Sequence, residues 1–186
     1  MSFVHQFFRP GSAPAPRRWL GRLSLLGLAL LTGCSPSLNW RTLTPVPGTD
    51  LLLPCKPQHR EEAVSLGDHT AQLVMTGCRA DDLDFTFSYL TIPQGVNPEE
   101  LLQRWREASL KPLGSALSQP AREVPIPGAA QAAKQWRLTT PNGLQVMWVW
   151  WVHEGRAHQL AVYGPQRASN FEMAADTFLA SVKHKR

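Results

Sequence analysis

At 186 residues with 43% hydrophobic side chains, the chain has the length and composition of one globular domain. Its formal net charge of +5 lies at its two ends, because four arginines and no acid precede Cys34 and three of the last four residues are Lys or Arg. The part between these ends is near neutral and lacks the basic patch of a nucleic-acid binder, so the composition argues against nucleic acid as a partner.

The first 33 residues predict a signal peptide. A basic, proline-rich stretch (9–18) precedes an uncharged apolar run (23–31), which is too short to span a bilayer comfortably. The run ends in Leu31-Thr32-Gly33-Cys34, which resembles the lipobox of bacterial lipoproteins: an aliphatic residue, a small residue, Gly or Ala, then the lipidated cysteine. The alternative interpretation is an uncleaved inner-membrane anchor with a chance cysteine.

The resemblance implies cleavage before Cys34, which becomes the new N-terminus and carries several acyl chains. Each buried methylene contributes about 0.8 kcal/mol, so two or more chains anchor a protein stably where one does not. In this family an Asp after the cysteine tends to retain the protein at the inner membrane. Ser35 stands there instead, so the resemblance favours the inner leaflet of the outer membrane, facing the periplasm. The inner membrane is the alternative.

The segment 34–49 contains several Pro, Ser and Thr, and it predicts a flexible tether ahead of one domain over 50–182. Cys55 and Cys78 remain once Cys34 is assigned to lipid. Because the periplasm is oxidising, this pair predicts a disulfide. A redox pair is the alternative, but such pairs usually have Cys-x-x-Cys spacing, and these two residues are far apart.

The first half of the domain predicts three strands and a helix. Runs at 51–55, 72–78 and 85–91 are typical of strands, the last through its alternation of apolar and polar residues. The sequence Asn97-Pro98-Glu99-Glu100 predicts a helix start, since Asn caps, Pro suits the first helical position and acids favour the positive end. The helix is expected to end before Pro112.

The second half predicts a hairpin, a returning strand and a second helix. Asn-Gly at 142–143 is a hairpin signal between strands at 135–140 and 144–152. The strand over 144–152 is apolar on both faces, which predicts a central position in the sheet. A turn at 154–156 leads into a strand at 158–163. An amphipathic helix follows from Phe171 to Val182, with a basic tail at 183–186.

Hairpins dominate this order of strands, helix, strands, helix. The order predicts an α+β domain: an antiparallel β-sheet with two main amphipathic helices packed on it. The layout resembles the PsbP/Mog1-like group of small α/β domains in Leu53-Pro54, the helix from Pro98, the paired strands around Gly155, and Phe178-Leu179-Ala180-Ser181. Members of that group act mainly as binding or assembly domains, and the resemblance implies such a role here.

Four tryptophans form the candidate binding surface: Trp136, Trp148, Trp150 and Trp151. They fall on neighbouring predicted strands, and an aromatic patch there suits a protein, a glycan or a hydrophobic ligand. Burial in the core is the competing interpretation. Because both faces of one strand carry Trp, one side is compatible with core and the other with a site.

His153 and His158 flank the predicted turn, where they are expected to face each other as partly exposed side chains. The pair lacks a third ligand, so no metal site is predicted, and no motif indicates a cofactor or a catalytic set.

We therefore expect a lipid-anchored cell-envelope protein that acts as a binding or assembly module for another envelope protein. Two alternatives stay open. A carrier or sensor of a small hydrophobic ligand needs a lined cavity of about a few hundred Å³. A small envelope hydrolase with a dispersed site needs a cleft that places a histidine (His59, His69, His153 or His158) beside a carboxylate.

Overall fold

The computed structural model of the protein describes residues 38–114 and 121–185. These residues form strands and two helices in the following order: β1 (Arg41–Val46), β2 (Thr49–Leu53), β3 (Gln58–Leu66), β4 (His69–Ala80), β5 (Leu83–Thr91), α1 (Pro98–Leu110), β6 (Arg122–Val124), β7 (Ala133–Thr139), β8 (Leu144–His153), β9 (Arg156–Pro165), α2 (Phe171–Ala180) and β10 (Lys183–His184). The predicted α+β class is confirmed, and membership of the PsbP/Mog1-like group stays a prediction.

The main sheet has seven antiparallel strands in the order β3-β4-β5-β9-β8-β7-β6. Strand β8 was predicted to be central, and its residues from Val146 to Trp151 are buried without a break. Such a run occurs where a strand is covered on both faces, and the prediction is confirmed.

Each face of the main sheet packs against a different layer. On one face, Leu101 and Trp105 of α1 pack with Trp148 of β8 in one apolar cluster. On the other face, Phe178 of α2 packs with Phe85 of β5, beside a three-stranded sheet in the order β1-β2-β10. The main sheet is therefore the middle of three layers, which explains how the domain buries so many large apolar side chains.

Helix α1 begins where the sequence predicts. The Asn97 side chain accepts hydrogen bonds from the backbone N–H groups of Glu99 and Glu100 (2.9 and 3.3 Å), and Pro98 occupies the first turn. The helix ends at Leu110 and continues as a 3-10 turn over Lys111–Leu113. A proline in second position of this turn provides no N–H for a longer α-helix, which agrees with the predicted end before Pro112.

Helix α2 begins at Phe171 as predicted but ends at Ala180, two residues earlier than the apolar pattern indicates. The side chain of Ser181 donates to the Phe178 carbonyl (2.7 Å) and accepts from the Leu52 N–H (3.0 Å). This bridge to β2 turns the chain out of the helix and into β10.

Two predicted segments differ from what the structure describes. Within the predicted tether (34–49), Arg41–Val46 is strand β1, which pairs with β2 and buries Val46. Pro45 lies at an irregularity in this pairing, where a strand tolerates proline. Within the predicted basic tail (183–186), Lys183 and His184 form β10, also paired with β2. Apolar contacts and ladder hydrogen bonds therefore extend the domain at both ends.

The disulfide between Cys55 and Cys78 is confirmed. It joins the segment that follows β2 in the small sheet to β4 in the main sheet. A crosslink of this loop length stabilises the fold by about 3 kcal/mol in the chain-entropy model.

Candidate functional site

An open cleft separates the C-terminal half of α1 from one half of the main sheet. Its empty volume is about 770 Å³ with the mouth included. Strands β3, β4, β5 and β9 form its floor, and α1 with the following 3-10 turn forms the opposite side. Leu101 and Leu102 bury the N-terminal half of α1, and the cleft lies beside the C-terminal half of the helix.

The floor of the cleft is apolar on the side of β3 and β4. Val64 and Leu66 of β3 lie beside Leu73 and Met75 of β4, and each is less than a tenth exposed. Trp105, in the middle of α1, faces them from across the cleft. These five side chains form the apolar wall of the cleft.

The floor is polar on the side of β5 and β9. Thr86, Ser88, Gln159 and Tyr163 line it there, with Ser109 of α1 above them. The Gln159 amide donates to the Ser109 hydroxyl (3.5 Å), and that hydroxyl donates to the Trp105 carbonyl (3.0 Å). We call these five side chains the polar band of the cleft.

Tyr163 contributes a neutral phenol to the polar band. Burial raises its pKa to about 12, against the effect of the Trp148 indole N–H, which donates to its oxygen. That hydrogen bond measures 2.9 Å between two buried groups. Because the oxygen is the acceptor, the phenol keeps its own proton for another acceptor.

The described lining of the cleft places no base beside its hydroxyl groups. Its described lining includes the hydroxyls of Ser65, Ser88 and Ser109 but no histidine, cysteine or carboxylate. A serine becomes a nucleophile when an adjacent base takes its proton, and the lining provides no such base. The hydrolase alternative needs a cleft with a histidine beside a carboxylate, and the described lining of this cleft does not contain that pair.

The prediction that four tryptophans form a binding surface is wrong for three of them. Trp148, Trp150 and Trp151 are at most 2% exposed, because both faces of β8 are covered. Trp136 of β7 is half-buried, packs edge-on against Trp150 and lies under the Arg106 guanidinium, which is 5.1 Å from its ring centre. The competing interpretation, burial in the core, describes these rings.

Three histidines gather on the opposite face of the sheet, around Trp151. The Trp151 indole N–H donates to Nε2 of His184 (2.8 Å), so Nδ1 of His184 carries the proton and donates to the Thr49 hydroxyl (3.0 Å). The ring of His153 stacks on His184 with centroids 3.7 Å apart, and His158 stacks on Trp151 at 5.1 Å. His184 thereby fastens β10 to the main sheet.

The expected pairing of His153 with His158 is wrong. The turn holds two residues, so His153 pairs with Arg156, and His158 lies deeper, opposite Trp151. His158 is 1% exposed, where a partly exposed side chain was expected. Burial, followed by the charge of His184, lowers the pKa of His158 to about 3, and burial lowers the pKa of His184 to about 4.

The other two histidines that the structure describes lie outside this cluster and outside the lining of the cleft. His59 shares a hydrogen bond with the Thr76 hydroxyl (2.9 Å), and His69 begins β4. Across residues 38–114 and 121–185, no group of three or more His, Cys, Asp or Glu side chains has a metal-binding arrangement.

The predicted lipidation site, Cys34, lies outside the described residues, as does the whole predicted signal peptide. In the part of the chain that the structure describes, neither helix is long and apolar enough to cross a membrane.

Comparisons with known proteins leave the family open. No protein-family model matches the chain, and no curated protein matches it. The crystal structure of LpqN, involved in cell envelope biogenesis of Mycobacterium tuberculosis, aligns with a TM-score of 0.39 and 14% sequence identity. The alignment covers 79% of this chain and 91% of LpqN. A similarity at this level carries no argument about this protein.

Sequence reasoning missed the cleft, although one signal for it was present. The alternation in β5 predicts a strand with one apolar and one polar face, and Thr86 and Ser88 are on the polar face. Polar faces usually meet solvent, but here Ser88 is 1% exposed and faces the cleft. The contribution of β3 was not predicted at all, because its charged half hides the two apolar residues that line the cleft.

Proposed function

We propose that the protein is a lipid-anchored envelope lipoprotein that carries or senses a small apolar ligand in the cleft under α1. One observation carries the proposal: an open cleft with a buried apolar wall and a few polar groups. Small-molecule sites have this composition. The role assigned first from sequence, a docking module for another protein, has less support.

The exposed side chains of the domain explain why the docking role has less support than ligand binding. Among the residues that the structure describes, Met173 of α2 is the one large hydrophobic side chain that is exposed. Protein-docking sites usually present a contiguous apolar patch, and a single methionine does not make one. The buried tryptophans of β8 remove the patch on which the docking role depended.

The anchor is supported by sequence alone. The lipobox-like Leu31-Thr32-Gly33-Cys34 closes an apolar run of signal-peptide length. With Ser35 next to the cysteine, we propose the periplasmic side of the outer membrane as the location, with the inner membrane as the alternative. A soluble domain held near a bilayer has direct access to molecules that leave it.

Native mass spectrometry of the protein, extracted from its host in mild detergent without reductant, tests the anchor and the cleft together. We expect a chain that begins at Cys34, carries acyl chains, lacks two hydrogens and retains an additional small molecule. Repeating the extraction in a second detergent separates bound detergent from a natural ligand. An intact chain that begins at Met1 with free thiols contradicts the lipoprotein assignment.

A cleft-filling variant tests whether the retained molecule occupies this site. Ala108 of α1 lines the cleft, so Ala108→Leu places three more carbons in it. We expect the retained fraction to fall at least about tenfold, since overfilling a site costs more than 1.4 kcal/mol. The matched control is Ala180→Leu, the same change at an exposed position of α2. Equal retention in both variants contradicts the proposed site.

A further inference from the structure

We infer that the ligand of this cleft is an uncharged amphiphile that lies across the strands. Its apolar part contacts β3 and β4, and its polar group contacts β5 and β9. This inference rests on the proposed function and adds the chemical class and the orientation of the ligand. The carrying observation is that the buried side chains of the floor are sorted by strand, apolar on β3 and β4 and polar on β5 and β9, whereas Ser65 of β3 is exposed.

The register of the sheet defines the boundary between the two halves. Met75 of β4 pairs with Ser88 of β5, and Ser88 pairs in turn with Gln159 of β9. Paired side chains on one face lie about 5 Å apart, so the floor changes from a thioether to a hydroxyl to an amide within about 10 Å. A ligand in this cleft that lies across the strands meets apolar groups at one end and hydrogen-bonding groups at the other.

The polar band offers both donors and acceptors. A serine hydroxyl both donates and accepts, and the Gln159 amide has a carbonyl oxygen and two protons, one of which is directed at Ser109. Tyr163 adds a phenol proton. A hydroxyl, ester or amide group of a ligand can satisfy such a set, and the buried hydroxyls of the band are then paired as well.

Charge excludes ionised head groups from the band. The described lining of the cleft contains no charged side chain. Arg104 of α1, next to Trp105 in sequence, is paired with the exposed Glu100 at 2.7 Å. The charge of Asp84 reaches Tyr163, where it raises the pKa further, and it repels a carboxylate or phosphate in the same place. Burying an ion without a partner is strongly unfavourable, so a neutral head group is preferred.

Three probes of equal chain length test this inference: octanol, octanoate and octylamine. The protein is extracted in mild detergent and transferred to amphipol, and each probe is titrated calorimetrically at about pH 8, where the acid and the amine are ionised. We expect octanol to bind at least about tenfold more tightly than octanoate, which Asp84 repels. We also expect it to bind more tightly than octylamine, because burying an ammonium costs more than the attraction of a carboxylate outside the lining returns. Octanoate or octylamine binding as tightly as octanol overturns the inference and leaves the proposed function intact. The proposed function fails if none of the three binds.

A matched pair of variants tests the orientation. Gln159→Met keeps the length of the side chain and removes its amide from the polar band, whereas Gln72→Met makes the same change at an exposed site on β4. We expect octanol to bind severalfold more weakly to Gln159→Met than to wild type, because its hydroxyl loses an amide partner, and to bind Gln72→Met as tightly as wild type. An unchanged octanol affinity in both variants overturns the assignment of the polar group to β5 and β9.

Discussion

Protonation of His158 opposes folding. Its ring lies between Trp151 and Phe87, and neither of its nitrogens has a side-chain hydrogen-bond partner. His153, His184 and Arg156 all disfavour a charge there, and the backbone of His153 only partly compensates. The folded pKa of about 3 is therefore below the usual value of 6.5. Stability from this group is complete above pH 6.5 and is lost as the pH falls towards 3.

This linkage predicts a pH-dependent free energy of unfolding. One such histidine removes about 2 kcal/mol between pH 7 and pH 5, because the unfolded chain takes up a proton that the folded chain does not. In His158→Phe we expect the dependence over this range to be shallower by that amount, in urea titrations at both pH values. His69→Phe, at the start of β4, is the control and should retain the wild-type slope. Equal slopes in all three proteins would contradict the role given to His158.

Residue identity alone could not place His158. The sequence shows a turn near Gly155 and a histidine on each side, but a two-residue turn and a longer one give different pairs. One position of register decides whether a side chain meets solvent or the core. Here Glu154 adopts a positive φ of 47° beside Gly155, and this makes the tight turn that sends His158 into the core.

At the scale of elements, the disulfide is the covalent link between the two sheets. Replacing both cysteines (Cys55→Ser with Cys78→Ser) should lower the free energy of unfolding by about 3 kcal/mol, because the unfolded chain regains the entropy of an open loop. The measurement is the urea midpoint with and without reductant. Reductant should shift wild type towards the double variant and leave the double variant unchanged. Identical midpoints for both proteins would count against a stabilising crosslink.

Elements with strong local signals were predictable, and elements that depend on distant partners were not. Helix α1 follows from the Asn97-Pro98 start and β8 from its continuous apolar run. Strand β3 was missed because Arg60, Glu61 and Glu62 interrupt any apolar pattern. Strand β10 was missed because its partner β2 lies far away in sequence, and β1 was missed because the Pro, Ser and Thr of 34–49 indicated a tether.

At the scale of the whole molecule, the sequence predicts the class of the fold but not the site. The apolar residues on both faces of β8, together with the two amphipathic helices, predict that both faces of the sheet are covered. The cleft depends on how far α1 extends over β3 and β5, which is set by packing between residues distant in sequence. For the same reason the three tryptophans of β8 were assigned to a surface, although layers on the two faces of the sheet cover them.

The anchor predicts a labelling result for the whole chain. Wild-type protein in its host should incorporate labelled palmitate, and Cys34→Ser should incorporate none, because no other side chain at that position forms the thioether. Ser35→Ala is the control and should be labelled like wild type. Label in Cys34→Ser would show that the acyl chains are attached elsewhere.

The two outer strands of the main sheet matter for a domain that the proposed anchor holds on a membrane. Molecules tethered to one surface collide often, and bare sheet edges then join into fibres. Strand β3 ends one side of the sheet with alternating exposed and charged side chains, and β6 ends the other after three residues. The charges of β3 and the short length of β6 both disfavour pairing with a neighbouring copy. Crowded copies of this domain are therefore protected against edge-to-edge polymerisation.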